Sequence, residues 1–161
     1  MATDPSQLTS SYRQFSYAER VGSQWQDFLI LVARMLIGLI YVLSGWGKVT
    51  GLDSFVLSLE RRSIPAATLL GYVGAATEFF GGVAIMLGFG TRYAALAIFI
   101  FTVAATLIGH RYWEFADPAL RRTQQTQFLK NLTMMGGLIL LFITGGGRFS
   151  LDRWLWRRRS D

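Results

Sequence analysis

The residues best able to do chemistry are a few charged side chains inside otherwise apolar stretches. Arg34 and Glu78 are the clearest cases, because long uncharged runs surround each of them. An ionisable group at membrane depth costs roughly 2.5–3.5 kcal/mol on insertion scales, so it needs a partner. Counting 1.5 Å per helical residue places the two at depths that differ by only about 6 Å. The sequence therefore predicts an Arg34–Glu78 ion pair between two neighbouring helices.

This predicted pair has two interpretations. It could be a buried clamp that fixes helix pairing, since each charge can satisfy the other. It could instead be a ligand or proton site, since ionisable groups in membranes are often functional. Glycines on the same helix faces would allow close approach of the two helices in either case. They are Gly38 and Gly45 beside Arg34, and Gly71, Gly74 and Gly82 beside Glu78.

A second polar group, here called the rim, lies near the opposite ends of the apolar stretches. Its cations, amide and aromatic ring could hydrogen-bond a quinone carbonyl and cover the quinone ring. The alternative is that its lysines reach toward lipid headgroups beside an ordinary aromatic belt. The rim residues are Lys48, His110, Trp113, Lys130 and Asn131.

The composition excludes several kinds of chemistry. The chain has no cysteine, which removes thiolate catalysis and cysteine-ligated clusters. Its one histidine cannot form a zinc site or a bis-histidine haem site alone. We therefore predict no metal and no intrinsic cofactor, with quinone or lipid as the possible ligands. The net charge of +6 lies beside apolar stretches, which favours anionic lipid over nucleic acid as its partner.

Four apolar stretches must position these residues. Hydrophobic residues make up 52% of the chain and charged residues only 16%. Each stretch is near the roughly 17–25 residues needed to cross the bilayer as a helix. The prediction is an all-α membrane protein, a four-transmembrane-helix bundle with amphipathic interfacial N- and C-terminal segments. The predicted spans are Phe28–Trp46, Ala66–Leu87, Tyr93–Gly109 and Phe128–Thr144.

The connections and tails complete this organisation. A tight turn at Gly88–Arg92 predicts a helical hairpin. The link after Lys48 predicts a short helix on the membrane surface. Asp117 followed by Pro118 predicts that the last helix begins well before its apolar part. We divide the chain into a cytoplasmic amphipathic segment (1–27), a four-helix domain (28–147) and a basic aromatic tail (148–161).

Both tails carry patterns typical of a membrane surface. In the first tail, apolar residues recur at helical spacing, and in the second, tryptophans and leucines are mixed with arginines. Four spans place both termini on one side, and the arginine cluster predicts that this side is cytoplasmic. The N-terminal pattern is Phe15, Ala18, Val21, Trp25 and Phe28. The predicted headgroup contacts are Trp154, Trp156, Arg157, Arg158 and Arg159.

Several segments in this order resemble the DoxX family of small membrane proteins over about residues 29–152. They are RMLIGLIYVLSGWGKVTG, ATEFFGGVAIMLGFGTRYAA, HRYWEF and QFLKNLTMMGGLILL, the last followed by GGGRFSLD. The resemblance implies a four-helix bundle in a bacterial-type cytoplasmic membrane. It also implies a redox association, because the related DoxD proteins form the membrane subunit of a thiosulfate:quinone oxidoreductase. It gives no catalytic role to Arg34, Glu78 or the rim residues.

Three functions remain open at this point. The first is a non-catalytic accessory subunit of a larger energy-transducing or redox-linked membrane complex, which fits the small size and lack of redox-active side chains. The second is a quinone-binding subunit of an oxidoreductase, with the rim as the site and Glu78 as a proton carrier. The third is a small transporter. We expect no autonomous enzymatic activity, and we expect the bilayer and other membrane subunits as partners.

Overall fold

The computed structural model describes residues 5–157, except for the side chains of residues 5–24 and of Trp156. Within this range the chain is helical and has no strand, so the predicted all-α class is confirmed. A one-turn 3-10 helix (Tyr112–Glu114) lies between the fourth and fifth α-helices. The α-helices are α1 (Pro5–Thr50), α2 (Leu52–Glu60), α3 (Ala67–Leu87), α4 (Thr91–Gly109), α5 (Pro118–Thr144) and α6 (Leu151–Arg157).

In the described part of the chain, four helical segments are long and apolar enough to cross a membrane, as predicted. The first occupies only the second half of α1, which has 46 residues and continues without a break into the N-terminal segment. The short helix predicted after the first span is present as α2, and none of its residues is buried. Its position on the membrane surface stays a prediction. The four spans are Trp25–Thr50, Ala67–Leu87, Thr91–Glu114 and Pro118–Thr144.

Local residue chemistry explains where the helices begin and end. Gly88 and Gly90 adopt left-handed φ angles of +70° and +53°, which let the chain reverse between α3 and α4. Asp117 accepts a hydrogen bond from the amide of Ala119 at 3.1 Å, and Pro118 occupies the first turn of α5. Both the tight turn and the start of the last helix were predicted from the sequence.

Close packing of α1 against α3 is the main contact of the bundle. A Cβ atom built on Gly45 would lie only 2.5 Å from the amide nitrogen of Phe79, and one built on Gly38 would lie 2.9 Å from the carbonyl oxygen of Gly82. The two backbones therefore approach to a distance that only glycine allows. Helices α4 and α5 complete a ring with α1 and α3.

Inside this ring is a small apolar core, while large apolar side chains cover the outer faces. Leu36, Phe80 and Ile143 each expose more than 60% of their surface on those outer faces. Apolar outer faces on helices of this length are expected where lipid is the solvent. The core consists of Tyr41, Ile85, Ala95, Ile98, Leu138 and Leu141.

Candidate functional site

Glu78, near the middle of α3, forms an ion pair with Lys48 near the end of α1. Its side chain is only 7% exposed, whereas that of Lys48 is 24% exposed. Lys48 also donates a hydrogen bond to the hydroxyl of Ser44 at 2.9 Å, and its Nζ lies 5.5 Å from the ring centre of Phe55. Tyr41 is close enough to interact electrostatically with Glu78. The carboxylate therefore lies in a shielded site and has a cation as its direct partner.

Arg34 lies at the opposite end of the α1–α3 contact. Its Nη2 donates a hydrogen bond to the carbonyl oxygen of Phe149 at 2.6 Å, and the residue is fully buried. The predicted Arg34–Glu78 pair is therefore wrong, because Glu78 pairs with Lys48 instead. The prediction assumed that the first span begins at the same membrane depth at which the second span ends. The packing places Arg34 beside Gly88, ten residues and about 15 Å along α3 from Glu78.

Asp152, in the first turn of α6, is the acidic neighbour of Arg34 and interacts with it electrostatically. Its carboxylate accepts hydrogen bonds from the amides of Gly90 at 2.7 Å and Thr91 at 3.1 Å, at the start of α4. Its own amide donates to the carbonyl oxygen of Gly88 at 3.0 Å. Arg34 and Asp152 together hold the C-terminal segment against the turn between α3 and α4.

The Arg34 guanidinium occupies the space where a side chain on Gly88 would lie. A Cβ built there would be 1.8 Å from Nη1 of Arg34, while one built on Gly90 meets nothing within 4 Å. Both glycines have positive φ, so alanine is strained at either site, by about 1 kcal/mol. We expect Gly88→Ala to lower the free energy of unfolding by about 1–3 kcal/mol more than Gly90→Ala does. Equal losses, measured by unfolding in mixed detergent micelles, would show that the Arg34 contact is unimportant.

A line of hydrogen bonds crosses the bundle from α1 through α4 to α5. The hydroxyl of Tyr41 donates to that of Thr102 at 2.8 Å, because the Thr102 hydroxyl itself donates to the carbonyl oxygen of Ile98. The Thr106 hydroxyl donates to the carbonyl oxygen of Thr102. It also accepts a hydrogen bond from the Asn131 amide at 2.9 Å. These buried polar groups therefore connect three of the four spans.

His110 ends α4 and contacts the side chain of Gln124 on α5, with Nδ1 2.8 Å from Oε1. Nδ1 must donate in this contact, because a side-chain carbonyl oxygen only accepts. Three aromatic rings near the same end of α4 contact one another edge to face, with centroids 5.1–6.1 Å apart. The rings belong to Tyr112, Trp113 and Phe128.

The five rim residues do not form a single cluster. Asn131 on α5 contacts Thr106, which lies one helical turn before His110 at the end of α4. Lys48 belongs to the pair with Glu78. Lys130 is exposed, and within residues 5–157 the structure gives its side chain no hydrogen bond or ion pair. Whether the rim binds a ligand stays a prediction.

The C-terminal headgroup contacts also stay predictions. Trp154 and Arg157 are exposed in α6, where such contacts are possible. The side chain of Trp156 and the whole of Arg158 and Arg159 lie outside the described structure.

Sequence reasoning misses Asp152, although it organises one end of the bundle. A usable signal is present, because Ser150 precedes the helix and its hydroxyl accepts a hydrogen bond from the amide of Arg153 at 3.2 Å, as an N-cap residue does. A second signal concerns Arg34. Helical side chains point back toward the N-terminus of their helix, so the Arg34 side chain is directed away from the membrane centre and toward this end of the bundle.

This fold and site define a class, the small multi-pass α-helical membrane proteins with buried interhelical polar pairs. The DoxX family profile matches residues 29–111. The chain belongs to the DoxX family, and it is an integral membrane protein embedded in the lipid bilayer. No solved structure is significantly similar to it.

The chain is also similar to three membrane proteins from two bacteria. Inner membrane protein YqjF of Escherichia coli is 38% identical over 130 residues, covering 81% of this chain and 94% of YqjF. Inner membrane protein YphA of the same organism is 34% identical, covering 78% and 89% of the two chains. The uncharacterized membrane protein Rv3486 of Mycobacterium tuberculosis is 32% identical, covering 81% and 83%. The side of the membrane on which the termini lie stays a prediction.

Proposed function

We propose that this protein is a non-catalytic membrane subunit that binds other subunits of a larger complex. The proposal rests on three contacts between polar side chains inside the membrane-spanning segments. Glu78 binds Lys48, Tyr41 binds Thr102, and Asn131 binds Thr106, each across a helix boundary. Groups arranged in this way hold helices together in a medium where no water can satisfy them.

Catalysis would place different demands on these groups. A general acid or a quinone-binding donor must reach the substrate with its proton available. His110 uses Nδ1 on Gln124, and Asn131 uses its amide on Thr106. Both contacts join the end of α4 to α5, which supports a structural role for these two side chains.

The length of α1 supports a role in binding partners. Its 46 residues make a helix about 69 Å long, and the part before Trp25 extends about 30 Å beyond the first span. The sequence places Phe15, Ala18 and Val21 on one face of this extension. An amphipathic helix that continues from a span is suited to pack against a neighbouring subunit. The link to a redox complex rests on the resemblance to DoxD proteins.

Two matched substitutions that each add one negative charge to this extension test the proposal. Ala18→Glu puts a charge on the apolar face, whereas Ser16→Glu adds the same charge on the opposite face, about 160° away at 100° per residue. We expect cross-linking in the native membrane to join the chain to a second membrane protein, with a yield that Ala18→Glu lowers at least 5-fold and Ser16→Glu preserves. Equal yields in both variants would count against the extension as the binding surface.

A quinone-binding subunit is the second candidate, because one observation favours it. The Tyr112, Trp113 and Phe128 rings contact one another near the end of α4, and exposed Lys130 is on the adjacent helix. If this candidate is correct, the protein purified in mild detergent carries quinone, and Lys130→Ala or His110→Ala removes it. Loss of quinone in these variants, with unchanged folding, would favour this function over the first.

A further inference from the structure

A surface cavity of about 620 Å³ lies between α2 and the segment that follows the 3-10 helix. The cavity is open to the surroundings on one side. None of the six described lining residues is acidic. The lining residues are Ser54, Leu57, Ser58, Arg61, Arg62 and Phe115.

The position of the cavity follows from one contact of Arg62. Its Nη1 donates a hydrogen bond to the carbonyl oxygen of Ile108 at 2.7 Å, in the last turn of α4. The cavity is therefore level with the last turn of α4. In a bilayer this level corresponds to the boundary between hydrocarbon and headgroups.

The lining supplies positive charge and donors that are not fully used. Arg61 is exposed, and within residues 5–157 its side chain has no hydrogen-bond or ion-pair partner. Arg62 uses Nη1 on Ile108 and keeps further N–H groups. The Ser58 hydroxyl donates to the carbonyl oxygen of Phe55, whereas the structure records no acceptor for the hydroxyl of Ser54 among the described residues.

We propose that this cavity binds an anionic phosphate group, carried by a lipid headgroup or by a free phosphate. Arginine guanidinium groups match phosphate geometry and are less strongly hydrated than lysine ammonium groups. The Ser54 hydroxyl adds a neutral donor, while Leu57 and Phe115 provide apolar walls. No part of this site overlaps the rim, the Glu78 pair or the N-terminal extension. The proposal therefore stands or falls independently of the proposed function.

The test compares Arg61→Gln with Arg121→Gln in the full-length protein. Arg121 is also exposed, on α5 outside the cavity, so both variants lose one surface charge. One arm measures retention of phosphatidylglycerol relative to phosphatidylcholine by native mass spectrometry. The other arm titrates inorganic phosphate. We expect at least one probe to bind roughly 10-fold more weakly to Arg61→Gln and equally well to Arg121→Gln.

The two arms identify the source of the phosphate. An Arg61-dependent preference for phosphatidylglycerol identifies a lipid headgroup, and Arg61-dependent binding of inorganic phosphate identifies a free anion. Ser54→Ala provides a second variant with unchanged charge, and we expect it to weaken the same probe about 5-fold. The proposal is overturned if neither probe binds, or if Arg61→Gln and Arg121→Gln weaken binding equally. A thermal unfolding curve confirms that each variant is folded.

Discussion

Glu78→Gln is expected to lower the free energy of unfolding by about 3 kcal/mol. The Glu78 carboxylate is 7% exposed and its partner Lys48 is 24% exposed. Removing one member of a buried pair leaves the other charge uncompensated, which typically costs about 3–5 kcal/mol. The lower end applies because Lys48 can reach toward the membrane surface. Unfolding in mixed detergent micelles, with helicity as the readout, measures the loss.

A double-mutant cycle identifies the partner of Glu78. The variants Glu78→Gln and Lys48→Met should couple by about 1–3 kcal/mol, so that their double mutant loses less than the sum of the single losses. Arg34→Met and Glu78→Gln should instead be additive to within about 0.5 kcal/mol, since the two residues have different partners. Coupling of Glu78 to Arg34 rather than to Lys48 would contradict the structure.

Gly45→Ala is expected to lower the free energy of unfolding by about 2–3 kcal/mol. The added Cβ would lie 2.5 Å from the amide nitrogen and 2.7 Å from Cα of Phe79. Backbone atoms cannot move aside as a flexible side chain can, so α1 and α3 would have to separate, with losses typical of overpacking.

Gly47→Ala is the matched control for Gly45→Ala. Gly47 lies two residues further along the same helix, and a Cβ there meets nothing within 4 Å. The change should be neutral or stabilising by up to about 1 kcal/mol, because alanine favours the helix over glycine. If both variants lose the same stability, close contact at Gly45 does not hold the bundle together.

The sequence is sufficient to predict the elements of the fold because each has a local cause. The length of the apolar stretches predicts four spans, and the glycines at residues 88 and 90 predict the tight turn. Asp117 followed by Pro118 predicts the start of α5, well before its apolar part. The uninterrupted α1 is less evident, because a polar amphipathic stretch and a span have different compositions and still form one helix.

The partners of the charges were harder to predict because they depend on how the helices are aligned. The sequence places Arg34 and Glu78 on glycine-rich faces, which is correct, yet the glycine contacts shift α1 along α3 and bring Lys48 to Glu78. Arg34 meets residue Phe149, which is 115 positions away in the chain. No local pattern encodes such a contact. The cavity beside α2 is equally hidden, since it exists only once α2 and Phe115 are packed.

We propose that this protein binds other subunits and that its buried polar groups hold its own helices together. Extracting the unaltered protein from its native membrane in polymer nanodiscs, and weighing the particles with their bound molecules, tests this most directly. We expect a second polypeptide in constant ratio to this chain, with quinone below one molecule per ten chains. A particle that contains this chain without another polypeptide, together with one quinone per chain, would contradict it.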